Sequence, residues 1–197
     1  MEHPDFPPFH HRLLLASKSP RRQQLLQEAG FRFRLLPADI PEDFPSEMNI
    51  REVAPYLAEK KARVTGFDKL AAGEILLTAD STVCFGDILL NKPADSVEAA
   101  LMLRLLSGNT HEVITGVCLS KPGKYIVFSQ LTQVTFHEMQ EETIQYYVSR
   151  YNPIDKAGSY GIQDWIGLCR IANITGDYSN VMGLPIPALY EAMLQHF

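Results

Sequence analysis

The sequence predicts an α/β protein built on a mixed sheet, and three observations carry that prediction. Short apolar runs of β character recur along the chain, amphipathic helical segments separate several of them, and two pairs of runs are joined by hairpin-type turns. Strict strand-helix alternation would point instead to a doubly wound parallel sheet, and the chain does not keep it. The sequence contains no internal repeat.

Leu13 to Ala16 is a short strand of the buried type, running into Ser17-Lys18-Ser19-Pro20, where Ser19 takes the N-cap position and Pro20 the first helical one. The helix extends to Ala29 with Leu25, Leu26 and Ala29 on one side, and Gly30 supplies a left-handed stop. Phe31 to Leu35 alternates apolar residues with Arg32 and Arg34, the period of a half-buried strand, so the chain begins as β-α-β. Pro37 to Ser46 holds three prolines with Asp39, Glu42 and Asp43 and reads as an irregular acidic loop. Ile50, Val53, Leu57, Lys61 and Val64 recur at helical spacing, with Pro55 either beginning or kinking the helix. Lys61 therefore falls on an apolar stripe, an unusual place for a cation.

Glu74 to Phe85 and Ile88 to Leu90 are strands around the two-residue turn Gly86-Asp87, and Asp80 lies inside the first of them. A helix follows from Asp95 or Ser96, with Asp95 and Glu98 at capping-box spacing, and ends at Gly108. Val113 to Leu119 and Tyr125 to Phe136 form a second hairpin through Lys121-Pro122-Gly123-Lys124. Ile144, Tyr147, Val148 and Tyr151 mark one face of a helix stopped by Asn152-Pro153. Lys156 to Gln163 is a glycine-punctuated loop, a weak β run lies near Leu168 to Ile174, and a last helix starts at Pro185 or Pro187 with Leu189 and Met193 inward.

A chain of 197 residues that is 46% hydrophobic has the length of one domain, or of one domain with two lobes over residues 12–197 behind a frayed tail at 1–11. Its apolar runs fall far short of the roughly 20 residues that cross a bilayer. The first ten residues carry acids and prolines but no apolar signal-peptide core, so a cytoplasmic protein is expected. Cys84, Cys118 and Cys169 are odd in number, widely spaced and set among apolar residues, which argues against disulfides and a structural zinc. A net charge of −5 without a basic stripe argues against a nucleic-acid partner. A small phosphorylated ligand needs only a few local cations.

Five places carry residues suited to such a ligand. Ser17, Ser19, Arg21 and Arg22 stand where a strand gives way to a helix N-terminus, an arrangement that suits phosphate but equally describes a capped surface helix. Asp80 sits in an otherwise apolar run, and a carboxylate there needs a cation or a metal such as magnesium or manganese, unless it serves a turn at a strand end. Lys61 and Lys92 either meet phosphate or snorkel to water. Gln163 presents a paired donor and acceptor that matches O4 and N3–H of uracil or thymine; alone, the ordinary surface glutamine is the better reading. The glycine spacing around it is not the dinucleotide-binding fingerprint.

Several motifs occur together and in order: Leu15-Ala16-Ser17-Lys18-Ser19-Pro20-Arg21-Arg22, Ala58-Glu59-Lys60-Lys61-Ala62, Thr78-Ala79-Asp80-Ser81-Thr82-Val83 and Asn91-Lys92-Pro93. Leu106-Ser107-Gly108, His111-Glu112-Val113, Thr115-Gly116, Asp155 to Gln163 and Ser179-Asn180-Val181-Met182-Gly183-Leu184-Pro185 follow. In this combination, from about Leu13 to Leu189, the chain resembles the Maf family, the septum-formation-inhibitor-like nucleotide pyrophosphatases.

The resemblance implies an elongated mixed sheet with helices forming two lobes around a cleft, as in the inosine-triphosphate pyrophosphatases. It also implies a magnesium- or manganese-dependent cleavage of nucleoside triphosphates to monophosphate and pyrophosphate. Asp80 falls on the family's catalytic position. Ser17, Arg21, Arg22, Glu42, Lys61 and Lys92 fall on its phosphate- and metal-handling positions, with Glu42 and Asp80 on the metal. Arg21, Ser81 and Gln163 fall on positions tied to base preference, and Arg21 and Gln163 match the branch acting on dTTP and UTP. Two positions depart from that branch: Ser81 replaces its usual threonine, and Asn91 replaces the glycine before Lys92. Family members are often dimers, so a homodimer is implied. The family's name leaves a second reading open, a nucleotide-binding regulator of cell division with little turnover.

Overall fold

Seven strands in one sheet and seven α-helices make up residues 10–197, the part of the chain that the computed structural model describes, and the mixed α/β class is as the sequence predicts. The expected tail at 1–11 lies outside the described residues up to residue 9. In chain order the elements are β1 (Arg12–Leu15), α1 (Pro20–Glu28), β2 (Arg32–Leu35), α2 (Val53–Thr65), β3 (Ile75–Phe85), β4 (Ile88–Leu90) and α3 (Ser96–Leu106). They continue with β5 (Thr110–Lys121), β6 (Lys124–Phe136), α4 (Glu141–Tyr151), α5 (Trp165–Arg170), β7 (Ile171–Thr175), α6 (Tyr178–Met182) and α7 (Ile186–His196).

The strand order is β2-β1-β3-β5-β6-β7, with β4 paired to β3. β1 runs parallel to both β2 and β3, whereas β3–β4 and β6–β7 are antiparallel. The chain divides into two compact units. One holds the described residues up to Asp80 with Thr115–Gln130 and Gly183–Phe197; the other holds Ser81–Ile114 and Leu131–Met182.

In the first unit, β1 leads into α1 through the predicted cap. The Ser19 hydroxyl accepts from Arg22 N at 3.4 Å, with Pro20 beginning the helix. At the far end Gly30 N donates to Gln27 O and Phe31 N to Leu26 O, the paired bonds of a left-handed stop, with Gly30 at φ +79°. The fully buried Leu13, Leu14, Leu15 and Leu26 each contribute about 1.5–3 kcal/mol by leaving water. A 3₁₀ turn at Ile50–Glu52 precedes α2, so Pro55 falls in the first turn of the helix, where its missing N–H costs nothing. Ala58 and Ala62 of α2 pack with Leu14, Ala16, Leu76 and Cys118. Gly116 permits an equally close approach on β5, since a β-carbon there would lie 2.3 Å from the Ala54 carbonyl carbon and Pro55 nitrogen. Small residues thus bring α2 close to the strands beneath it.

The second unit has its own core, in which Leu103 and Leu106 of α3 and Ile144, Tyr147 and Val148 of α4 pack with Val113, Val134, Phe136, Tyr160 and Ile166. Asp95 caps α3 as predicted, accepting from Val97 N and Glu98 N, while Glu98 reaches back to Ala94 N at 2.6 Å. Asn152 ends α4 in the left-handed conformation at φ 45°.

Three details differ from the sequence reading. Residues 165–170 form α5, so the β run begins at Ile171 and extends to Thr175. Six residues are too few for a helical period to show, and Ile166 is the one that α5 buries. For the same reason the five-residue α6 went unread. Cys169 is exposed rather than among apolar neighbours, because it lies with Leu168 on the outer side of α5; Cys84 and Cys118 are buried.

Candidate functional site

Strand periodicity places Thr78 and Asp80 on one face of β3, and helical spacing places Ala58 and Lys61 one turn apart on α2. These two faces meet. The Thr78 hydroxyl donates to the Ala58 carbonyl at 2.6 Å, and the Lys61 ammonium donates to Asp80 Oδ1. The same ammonium donates to Glu42 Oε1 at 2.8 Å, which brings the acidic loop onto the helix. The cation on the apolar stripe is accounted for: its side chain is 12% exposed, and its charge is matched by two carboxylates.

Arg22 completes the cluster from the first turn of α1. Its Nε donates to the Gly183 carbonyl at 2.7 Å, and its Nη1 donates to the Ala79 carbonyl at 2.9 Å and to Ser17 Oγ at 3.4 Å. Ser17 is buried and also accepts from Ser19 N at 3.1 Å. The strand-to-helix junction is therefore laced to β3 by a guanidinium, whose planar fork suits several acceptors at once. Burial pulls the Arg22 guanidinium below the usual arginine range, and the charge of Asp80 opposes that pull.

Asp80 is 6% exposed. Burial pushes its carboxyl above the ordinary carboxylate range, while the charges of Lys61 and Arg22 act in the other direction. Loss of water is the larger effect. A carboxylate so held is more basic than one in solution, a property associated with functional sites.

Glu42, Lys61, Asp80, Ser17, Arg21 and Arg22 all belong to the first unit. Arg21 is half-buried beside Arg22, and its charge lowers the Arg22 pKa further. Ser81, Lys92 and Gln163 belong to the second unit. Ser81 follows Asp80 on β3 and is half-buried, Lys92 follows β4 and is exposed, and Gln163 is half-buried in the turn before α5.

The donor chemistry fits a magnesium or manganese ion. Glu42 and Asp80 converge on a single point of positive charge, the Lys61 ammonium, and both offer hard oxygen. Magnesium is commonly held by one or two carboxylates and completed by water and substrate phosphate, without an all-protein cage. Among the described residues no group of three or more His, Cys, Asp and Glu side chains is placed to hold a metal ion.

Sequence reasoning passed over the partners that hold these groups. Gly183 and Ala79 contribute carbonyls, which every residue carries and no side-chain pattern reveals. Thr78 was legible in principle, since it lies two residues before Asp80 on a strand.

Known proteins resemble this chain over most of its length. The family model described as Maf-like protein matches residues 12–196. A dTTP/UTP pyrophosphatase of Flavobacterium psychrophilum is 44% identical over 185 residues, 94% of each chain. One of Porphyromonas gingivalis is 44% identical over 186 residues, 93% of each chain. One of Phocaeicola vulgatus is 43% identical over 185 residues, 93% of this chain and 95% of the relative.

Proposed function

The chain belongs to the Maf-like protein family, and from that premise we propose that it hydrolyses dTTP and UTP between the α and β phosphates, releasing the nucleoside monophosphate and pyrophosphate. The observation that carries the chemistry is the buried Asp80, bonded to Lys61 and flanked by the charge of Arg22. The choice of substrate rests on the relatives' names and on the matching residues Arg21 and Gln163.

In this reading Asp80 accepts a proton from the attacking water as the new bond forms at the α-phosphorus. Its place inside β3 and its bond to Lys61 fix the carboxylate for that transfer. The bond from the α-phosphorus to the bridging oxygen breaks, and pyrophosphate leaves. Arg22, fixed by two backbone carbonyls, opposes the charge that accumulates on the phosphate oxygens without having to reorganise, and Lys61 adds a second positive charge beside Asp80. Ser17, Arg21 and Lys92 are assigned to phosphate binding, and Arg21, Ser81 and Gln163 to the base. Glu42 and Asp80 would hold a magnesium or manganese ion, which when bound supplies Lewis-acid neutralisation of the phosphate oxygens. A homodimer and a cytoplasmic location are the assembly and compartment we propose with it. Among the described residues no helix is long and apolar enough to cross a membrane.

The test is product analysis on a panel of pyrimidine and purine triphosphates with magnesium, with manganese and with chelator. Pyrophosphate and monophosphate from dTTP and UTP, lost on chelation, are expected. Orthophosphate as the first product, or binding without turnover, refutes the reading. Gln163→Glu replaces an amide donor by a second acceptor and should lower kcat/KM for dTTP and UTP about tenfold relative to purine triphosphates. Equal loss on all bases refutes the role of Gln163.

A further inference from the structure

Gln163 does not stand on a free loop. It occupies the third position of a four-residue turn in which Asp164 N donates to the Gly161 carbonyl at 3.0 Å, and Ile162, beside it, is buried. Both ends of this turn bond to one atom, the hydroxyl oxygen of Tyr147 on α4. That hydroxyl donates to Asp164 Oδ2 at 2.6 Å and accepts from Gly161 N at 3.1 Å.

Tyr147 itself is fully buried, so it is out of reach of any substrate. Asp164 occupies the N-cap position of α5 yet makes no side-chain cap bond there; its carboxylate turns back to Tyr147 instead. Gly161 keeps room for it, since a β-carbon at that position would lie 2.7 Å from Asp164 Oδ2. Lys156 Nζ stands 4.0 Å from the same oxygen. A buried donor-acceptor hydroxyl that closes a turn from both ends restricts the direction of the side chain between them.

We propose that Tyr147 is a positioning residue for base selection: through Gly161 and Asp164 its hydroxyl sets the turn that presents the Gln163 amide. The proposal rests on the reading of Gln163 given above. Tyr147→Phe is the discriminating variant, because it keeps the ring and its stacking on Tyr151 at 5.0 Å while removing only the hydroxyl. KM for dTTP and UTP should rise about tenfold with kcat changed less than about twofold, and pyrimidine-over-purine discrimination should fall by the same factor. Asp164→Ala should reproduce this loss. Asp164→Asn, which still offers Tyr147 an acceptor, should retain discrimination.

A merely structural role would lower Tm and reduce activity on all bases alike, without the split between KM and kcat, and that result overturns the proposal. So does a Tyr147→Phe enzyme with unchanged discrimination when Gln163→Glu has lost it. If Gln163→Glu itself leaves discrimination intact, the reading of Gln163 fails, and this inference with it. Should Tyr147→Phe not fold, the Asp164→Ala and Asp164→Asn pair decides. Trp165, the single tryptophan, follows Asp164 and lies edge-on to the Tyr146 ring at 5.0 Å. Its emission on titration with dTMP should respond in the wild type, and at about tenfold higher concentration in Asp164→Ala; equal midpoints contradict the proposal.

Discussion

Replacing Asp80 by asparagine separates chemistry from stability. The amide keeps the shape of the side chain and an oxygen for the Lys61 ammonium, so the contact to α2 survives in weaker form. It cannot take a proton from water. Loss of a positioned general base costs about 100- to 10,000-fold in kcat, or about 2.7–5.4 kcal/mol of barrier at about 1.36 kcal/mol per decade. The effect on folding runs the other way. Burial holds the Asp80 carboxyl above its ordinary range, so above the folded-state pKa the ionised group destabilises the fold, and stability is recovered as pH falls through that pKa. The uncharged amide removes that penalty and gives up part of the attraction to Lys61 and Arg22. The two changes nearly offset, leaving a net effect of about 1 kcal/mol, or about 2–4 °C in Tm for a chain of this size. Pyrophosphate release from dTTP and UTP at saturating metal, measured beside thermal unfolding, tests both halves. An Asp80→Asn protein that retains more than about a tenth of wild-type kcat, well outside the range for a lost general base, refutes the catalytic role. A Tm lowered by much more than about 4 °C would mean that the carboxylate chiefly holds the fold together.

Two further perturbations have defined signs. Lys61→Met leaves Asp80 buried without its bonded cation and should cost about 3 kcal/mol, lowering Tm by about 6–12 °C; an unchanged Tm would show that Arg22 suffices as partner. His111 is 1% exposed, with Nε2 bonded to the Tyr160 hydroxyl at 2.7 Å, its ring stacked on Phe136, and no bond to Nδ1 among the described residues. Burial lowers its pKa from 6.5 to about 4, so its contribution to stability is complete above about pH 6.5 and is lost as pH falls through about 4. That loss amounts to about 3 kcal/mol, and denaturant unfolding between pH 7 and pH 4 should show it in the wild type and not in His111→Phe. Equal acid sensitivity in both proteins excludes His111 as its source.

Much of the architecture was legible because it is written locally. Ser19, Pro20 and Gly30 delimit α1 through backbone chemistry confined to a few neighbouring residues, and Asp95 with Glu98 does the same for α3. Elements of nine residues or more show their period, whereas α5 and α6, at six and five residues, lie below the length at which a period can be read. The acidic loop with Glu42 read correctly as irregular, but nothing in its own sequence aims it at Lys61.

The site divides along the same line. That a carboxylate at Asp80 and a cation at Lys61 each sit in apolar surroundings is visible from strand and helix periodicity; solvation then asks for a partner or a turn at Asp80, and for a partner or a path to water at Lys61. That they satisfy one another, that Arg22 is held by the carbonyls of Gly183 and Ala79, and that one hydroxyl of Tyr147 closes the turn bearing Gln163 are long-range facts. Residue types and spacing state which groups need partners. Only the packing of distant segments decides which partners they find, because burial and hydrogen bonding depend on what the rest of the chain brings to the same point in space.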